Sequence, residues 1–170
     1  MSATLQRNHA STLAKSNPKK ALDQARKVHE PWFRAQALSW VARFTDGDPV
    51  AIASEAARAA QECEDDYRKS AVRAWEVAAL AERGSTAEAR KSLSEALKLA
   101  KRIESVSSRS EALLLLMQAA FRIGRDEAMR AYSLLKESCP VEEHSRCCKR
   151  AVRDGERMIS GTQEPRPFFW

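Results

Sequence analysis

A chain of 170 residues suits one domain large enough to bury a core without metal or disulfide staples. Its 29 Lys and Arg against 23 Asp and Glu give a net charge of +6, but the excess is dispersed: nine basic and five acidic groups in residues 1–60, ten and ten in 61–120, ten and eight in 121–170, which excludes a basic arm. Only five Gly and six Pro, with abundant Ala, Leu, Glu, Lys and Arg, favour helix nearly throughout and leave no strand candidate, and the longest apolar run, 112–117, is too short to cross a bilayer.

Caps and prolines mark most helix boundaries. The first helix is expected over 2–16, with a sparse apolar side of Leu5, Ala10, Leu13 and Ala14. Asn17-Pro18 opens the second, 18–29, by placing a capping side chain before a proline at the first helical position, where the missing N–H costs nothing. Pro31 opens the third, 31–45, whose Trp32, Phe33 and Trp40 are either core or anchors of a groove. Asp48-Pro49 opens 49–63, a helix with one apolar stripe formed by Ile52, Ala53, Ala56, Ala60 and Cys63. The acidic group Glu62, Glu64, Asp65 and Asp66 marks the next break; its carboxylates either hold a cation or cap the helix that follows over 66–83. Val72, Trp75, Val77 and Leu80 among alanines make that helix apolar all round.

Ser85-Thr-Ala-Glu88 and Ser108-Arg-Ser-Glu111 read as capping boxes for 86–104 and 108–123. The former helix carries a single stripe, Ala89, Leu93, Ala96, Leu97, Ala100 and Ile103, and so covers the outside; the latter is apolar around most of its cylinder and is sandwiched. Helices over 126–138 and 141–159 complete a set of nine, the last opened by Pro140. Connections this short force neighbouring helices to lie antiparallel and in contact. Residues 1–160 therefore form one helical domain, and 161–170, with Pro165 and Pro167, an extended tail.

Arg34, Arg68, Arg109 and Arg146 recur near the starts of alternate helices, each followed by a glycine, at Gly47, Gly84, Gly124 and Gly161. Self-similarity at this period is the signature of a stacked helical array. Ala-Glu-Arg-Gly84, Ala89, Leu93 and Glu95-Ala96-Leu97 resemble the tetratricopeptide repeat in their spacing of inter-helix glycine, small packing residue, large apolar residue and Ala-Leu pair. Val77 and Lys101 depart from that family's small residue and closing proline, and the uneven Arg-to-Gly distances suit HEAT-type pairs. The resemblance, to a tetratricopeptide-like (TPR/HEAT-type) α-solenoid, implies an all-α, right-handed stack of antiparallel helical hairpins that binds peptides or proteins in a concave groove.

No phosphate loop, HExxH motif or histidine-rich constellation is present, so an enzyme and a cofactor are not expected. Cys63, Cys139, Cys147 and Cys148 are expected to be reduced, because two are adjacent. Cys139, His144 and Cys148 alone have the chemistry to converge on a zinc, but their spacing matches no standard module, so buried thiols beside a satisfied histidine are expected. Arg146, Arg150, Arg153 and Arg157 form an arginine stripe at i, i+4, i+7 and i+11, either a solvated face or a contact for nucleic acid or another polyanion. The recurring Arg34, Arg68, Arg109 and Arg146 either line a groove or pair with acids of neighbouring helices. Phe168, Phe169 and Trp170 end the tail and demand a dock: this chain's own groove, a neighbouring copy through self-association, or another partner. The expectation is a cytoplasmic, non-catalytic scaffold for a protein or peptide, with no membrane contact, and the alternative a basic module for a polyanion.

Overall fold

The computed structural model describes residues 1–140 and 144–170, and every regular element among them is an α-helix. In chain order these are α1 (Ala3–Ser16), α2 (Pro18–Arg26), α3 (Pro31–Phe44), α4 (Pro49–Gln61), α5 (Asp66–Ala71), α6 (Arg73–Glu82), α7 (Thr86–Ala100), α8 (Val106–Ala120), α9 (Arg125–Ser138) and α10 (Arg146–Ser160). Only Val72 separates α5 from α6, and its backbone stays helical at φ −65° and ψ −23°. The expected helix over 66–83 is thus present as one interrupted rod, and counting it once gives the expected nine among the described residues.

Local chemistry explains most starts. Asn17 accepts from the Lys20 N–H, Glu30 from Phe33, Asp48 from Val50 and Ala51, and Asp65 from Arg68, so the acidic stretch serves as a cap. The two capping boxes are corrected. Ser85 makes no side-chain cap bond, and Ser108 lies inside α8, which begins one turn earlier because Ser105 accepts from the Ser108 N–H. The last helix is corrected too: Ser145 accepts from Cys148, and α10 starts at Arg146 rather than behind Pro140, while 141–143 lie outside the described residues.

The helices α1, α3, α6, α8 and α10 pack against one another in succession. Each of α2, α4, α7 and α9 spans two consecutive members of that row, α2 touching α1 and α3, α4 touching α3 and α6, and so on. Residues 71–80 are all buried, which fits the sandwiched position expected for them, and α7 buries Ala89, Leu93, Ala96, Leu97 and Ala100 on one stripe. Alanine is the commonest buried residue, so backbones approach closely.

One charged cluster lies inside. Arg73 and Glu76 are 4% and 3% exposed; Arg73 donates to Glu76 at 3.0 Å and reaches Glu95 at 3.1 Å and Ser92 at 3.3 Å, tying α6 to α7. Burial pulls the Arg73 pKa down, but the bonds to Glu76 and Glu95 outweigh it and hold the guanidinium above its usual value. Removing one partner of such a pair typically costs about 3–5 kcal/mol.

Glycine has distinct roles here. Gly84 and Gly161 take left-handed φ of 80° and 76° and terminate helices, whereas Gly155, inside α10, is a contact point. A Cβ there would lie 2.9 Å from the Tyr132 ring of α9 and 3.3 Å from the Met117 sulfur of α8. Gly155→Ala in a helix ordinarily stabilises by about 1 kcal/mol. The close approach reverses the sign: urea denaturation is expected to show a loss of about 1–2 kcal/mol, and a gain would mean that α10 sits further from α9 than described.

Candidate functional site

Trp40 and Phe44 occupy i and i+4 of α3, hence one face, and their rings stack with centroids 5.7 Å apart. Trp75 stands on α6, Lys15 near the end of α1 with its ammonium 5.5 Å from the Trp40 ring centroid, and Arg122 just past the Phe121 cap of α8. Trp32 bridges behind, stacked on Tyr67 at 6.2 Å and edge-on to Trp75 at 6.1 Å, while Phe33 lies under the Arg7 guanidinium.

The C-terminal segment fills this groove. Pro165 and Pro167 fix φ and remove two backbone donors, which suits an extended course rather than a further helical turn. Phe168 has no exposed surface and meets Trp75 edge-on at 5.5 Å; Phe169 meets Trp40 at 5.3 Å and Phe44 at 6.4 Å; Trp170 meets Trp40 at 5.5 Å. The Arg166 guanidinium lies over Trp75 at 5.5 Å and over Phe168 at 5.6 Å. Two cations hold the main chain: Arg122 donates to the Arg166 carbonyl at 3.1 Å, and the Lys15 ammonium donates to the main-chain oxygen of Trp170. Of the three docks open to the aromatic end, the structure has the one within the same chain.

The polar fit is incomplete. The indole N–H of Trp40, the indole N–H of Trp75 and Nε of Arg122 are buried with no hydrogen-bond partner, as are Nε of Arg7 and the Gln118 carbonyl oxygen. Trp40 and Trp75 are 3% and 5% exposed, so these donors are not turned to solvent. Around the groove Lys15, Arg43 and Arg122 supply positive charge, with Glu82 between Arg43 at 2.5 Å and Arg122 at 3.7 Å.

The recurring arginines do not line this groove. Arg34 donates to the carbonyls of Val28 and His29 and pairs with Glu62; Arg109 donates to the carbonyls of Ile103 and Glu104 at 2.7 and 3.4 Å. Both reach six and five residues back, to carbonyls just past the preceding helix, where negative partial charge compensates for an arginine near a helix start. Arg68 pairs with Glu64 and Asp65 at 3.7 Å, and Arg146 is exposed. Four residues beyond the caps Glu30, Asp65, Ser105 and Ser145 stand Arg34, Lys69, Arg109 and Lys149. Arg68 and Arg146 therefore miss that position.

In the stripe on α10, Arg150 bonds Glu111 of α8 at 3.0 Å and Arg153 lies 3.4 Å from Asp154, while Arg157 is exposed. A second basic surface joins Lys98 and Lys101 to Arg90 and Arg130 around a depression of about 310 Å³ floored by Leu93, Leu97 and Leu134.

Cys139 and Cys148 form a disulfide, which corrects the expectation of four reduced thiols. Their Cα atoms lie 5.5 Å apart, within disulfide reach, and the adjacency of Cys147 and Cys148 does not prevent Cys148 from bonding to a cysteine nine positions earlier. The bond engages two of the three residues considered for zinc, His144 is exposed, and among the described residues no three His, Cys, Asp or Glu side chains gather as a metal site requires.

Trp40, Trp170 and the arginines are visible as candidates in the sequence, whereas nothing local in the sequence marks Lys15, Phe44, Trp75 and Arg122 as one site. The available signal was the triple aromatic end, which requires an aromatic receptor, together with the i, i+4 pair on α3.

Phe168→Ala is expected to cost about 3–5 kcal/mol, as for a buried aromatic truncation, whereas Trp170→Ala, at a position 64% exposed, costs below about 1 kcal/mol. Chemical denaturation of both variants tests this, and equal losses would refute the described burial. Among the free thiols, burial foremost and the nearby Glu30 carboxylate push Cys63 up to about 11, while Cys147 is only partly covered. Iodoacetamide applied to the folded, unreduced protein at neutral pH should therefore label Cys147 first, as read by peptide mass mapping.

Comparison with family models, with curated proteins and with solved structures finds no match to this chain.

Proposed function

We propose that the chain is a non-catalytic binding scaffold, a right-handed α-solenoid of TPR-like helical hairpins whose inner helices hold an extended peptide segment. The observation that carries this reading is the course of 165–170: a nonhelical stretch of peptide rests across α1, α3 and α6, anchored by aromatic rings and by main-chain bonds from Lys15 and Arg122. Recognition of this kind draws affinity from buried aromatic anchors and register from backbone contacts. The succession of packed helices, each pair bridged by a helix of the second row, supports the stacked-repeat architecture.

The second reading, a basic module for nucleic acid or another polyanion, draws on the exposed cations of α10 and on the basic depression between α7 and α9. It is the weaker one, because Arg150 and Arg153 already have acidic partners within the chain.

The chain of residues 1–170 carrying Phe169→Ala and Trp170→Ala, panned against a display library of short random peptides, should enrich aromatic sequences. Trp40→Ala should weaken the selected peptides about tenfold or more, roughly 1.4 kcal/mol. An absence of enrichment, with heparin retention surviving about 0.5 M salt, would overturn the peptide reading in favour of the polyanion.

A further inference from the structure

The resident segment complements the groove in shape but not in polarity. None of the side chains of 165–170 is a hydrogen-bond acceptor of any strength, being Pro, Arg, Pro, Phe, Phe and Trp. Yet among the residues that grip them Trp40 and Trp75 each keep a buried indole N–H without a partner, and the buried Nε of Arg122 meets only the Glu82 carboxylate, at 3.7 Å and beyond hydrogen-bond reach. The segment also brings the Arg166 cation to a rim where Lys15, Arg43 and Arg122 already stand and Glu82 pairs with the last two. Unpaired buried donors are costly, and a charged acceptor forms a stronger hydrogen bond than a neutral one.

On these grounds we infer, building on the peptide-scaffold reading, that the groove's exchangeable ligand is an extended segment of another protein that keeps the aromatic anchors and carries a carboxylate where this chain carries Pro-Arg-Pro. Residues 162–170 are then its tethered competitor. The tether gives the competitor an effective concentration of order millimolar, so an incoming segment displaces it only with better contacts. A carboxylate supplies them by meeting an indole N–H and the Arg122 guanidinium and by offsetting the rim charge. Release is graded: Trp170, largely exposed, leaves first and Phe168, fully enclosed, last.

The test uses two labelled peptides of residues 164–170, both amidated at the end: the native sequence and the same peptide with Arg166→Asp. Each is titrated by fluorescence polarisation into the intact chain and into the chain carrying Phe169→Ala and Trp170→Ala, which loosens the segment but leaves Phe168 in place. The aspartate peptide is expected to bind about tenfold more tightly than the native one, with the difference shrinking at about 0.5 M salt. Both should bind the loosened chain about tenfold more tightly than the intact one. Trp40→Phe or Trp75→Phe keeps an aromatic ring and removes the N–H, and at least one of them should narrow the gap between the peptides while sparing the native one.

Equal binding of the two peptides, or tighter binding of the native one, would overturn the assignment of an acidic ligand. Equal affinity of the intact and loosened chains would overturn the competitor role. Should neither peptide bind while the library selection still retains others, this inference falls and the scaffold reading stands; failure of both removes the scaffold reading as well.

Discussion

Phe168 lies against Trp75 with no surface left exposed, and its neighbours Phe169 and Trp170 bracket Trp40. The rest of the molecule gives these contacts their weight. Its helices pack largely through alanine, which allows close backbones but buries little apolar area per residue, so each large buried side chain counts. A buried aromatic contributes about 1.5–3 kcal/mol by area, and each edge-on pair about 0.5–1.5 kcal/mol more. The segment thus ties the last helix, α10, back across α6 and α3 to α1, and links the two ends of the helical row.

Charge in this chain is largely spent on architecture. Arg34 and Arg109 hold carbonyls at the ends of preceding helices, Arg73 ties α6 to α7 from within, and Arg26, Arg90 and Arg150 bridge neighbouring helices to Glu55, Glu127 and Glu111. Their bonds hold the Glu55 and Glu127 carboxyls below the usual range. Most of these pairs are partly exposed and individually weak, so they serve orientation between helices more than stability. A net charge of +6 in such a chain says less about a partner than the unpaired donors of one groove.

The groove combines firm and loose holding. Prolines restrict the free segment and lower the entropy lost on docking, and the two cations on its main chain set its register. Side-chain polarity is left unsatisfied, and that mismatch distinguishes an occupant that can be exchanged from an ordinary piece of core.

Helix positions were legible in the sequence because their causes are local. Asn17, Asp48 and Asp65 each cap within three residues, and the apolar circumference of 71–80 foretells burial on all sides. Where two serines competed, at Ser105 and Ser108, local pattern failed by one turn, because either side chain can accept a capping bond and Ser105 is the one that does. The recurrence of arginines was visible in the sequence, but their distance from the helix starts was not, since only the caps show that Lys69 rather than Arg68 stands four residues beyond its cap as Arg34 does. Sequence also determined that three consecutive aromatics need a receptor. Which one they find was decided by tertiary structure alone: Lys15, Trp40, Phe44, Trp75 and Arg122 sit on or beside four different helices and meet only once those helices are stacked. The disulfide of Cys139 and Cys148 follows the same rule, because covalent reach depends on the distance between the two residues in space and not on the order of cysteines along the chain.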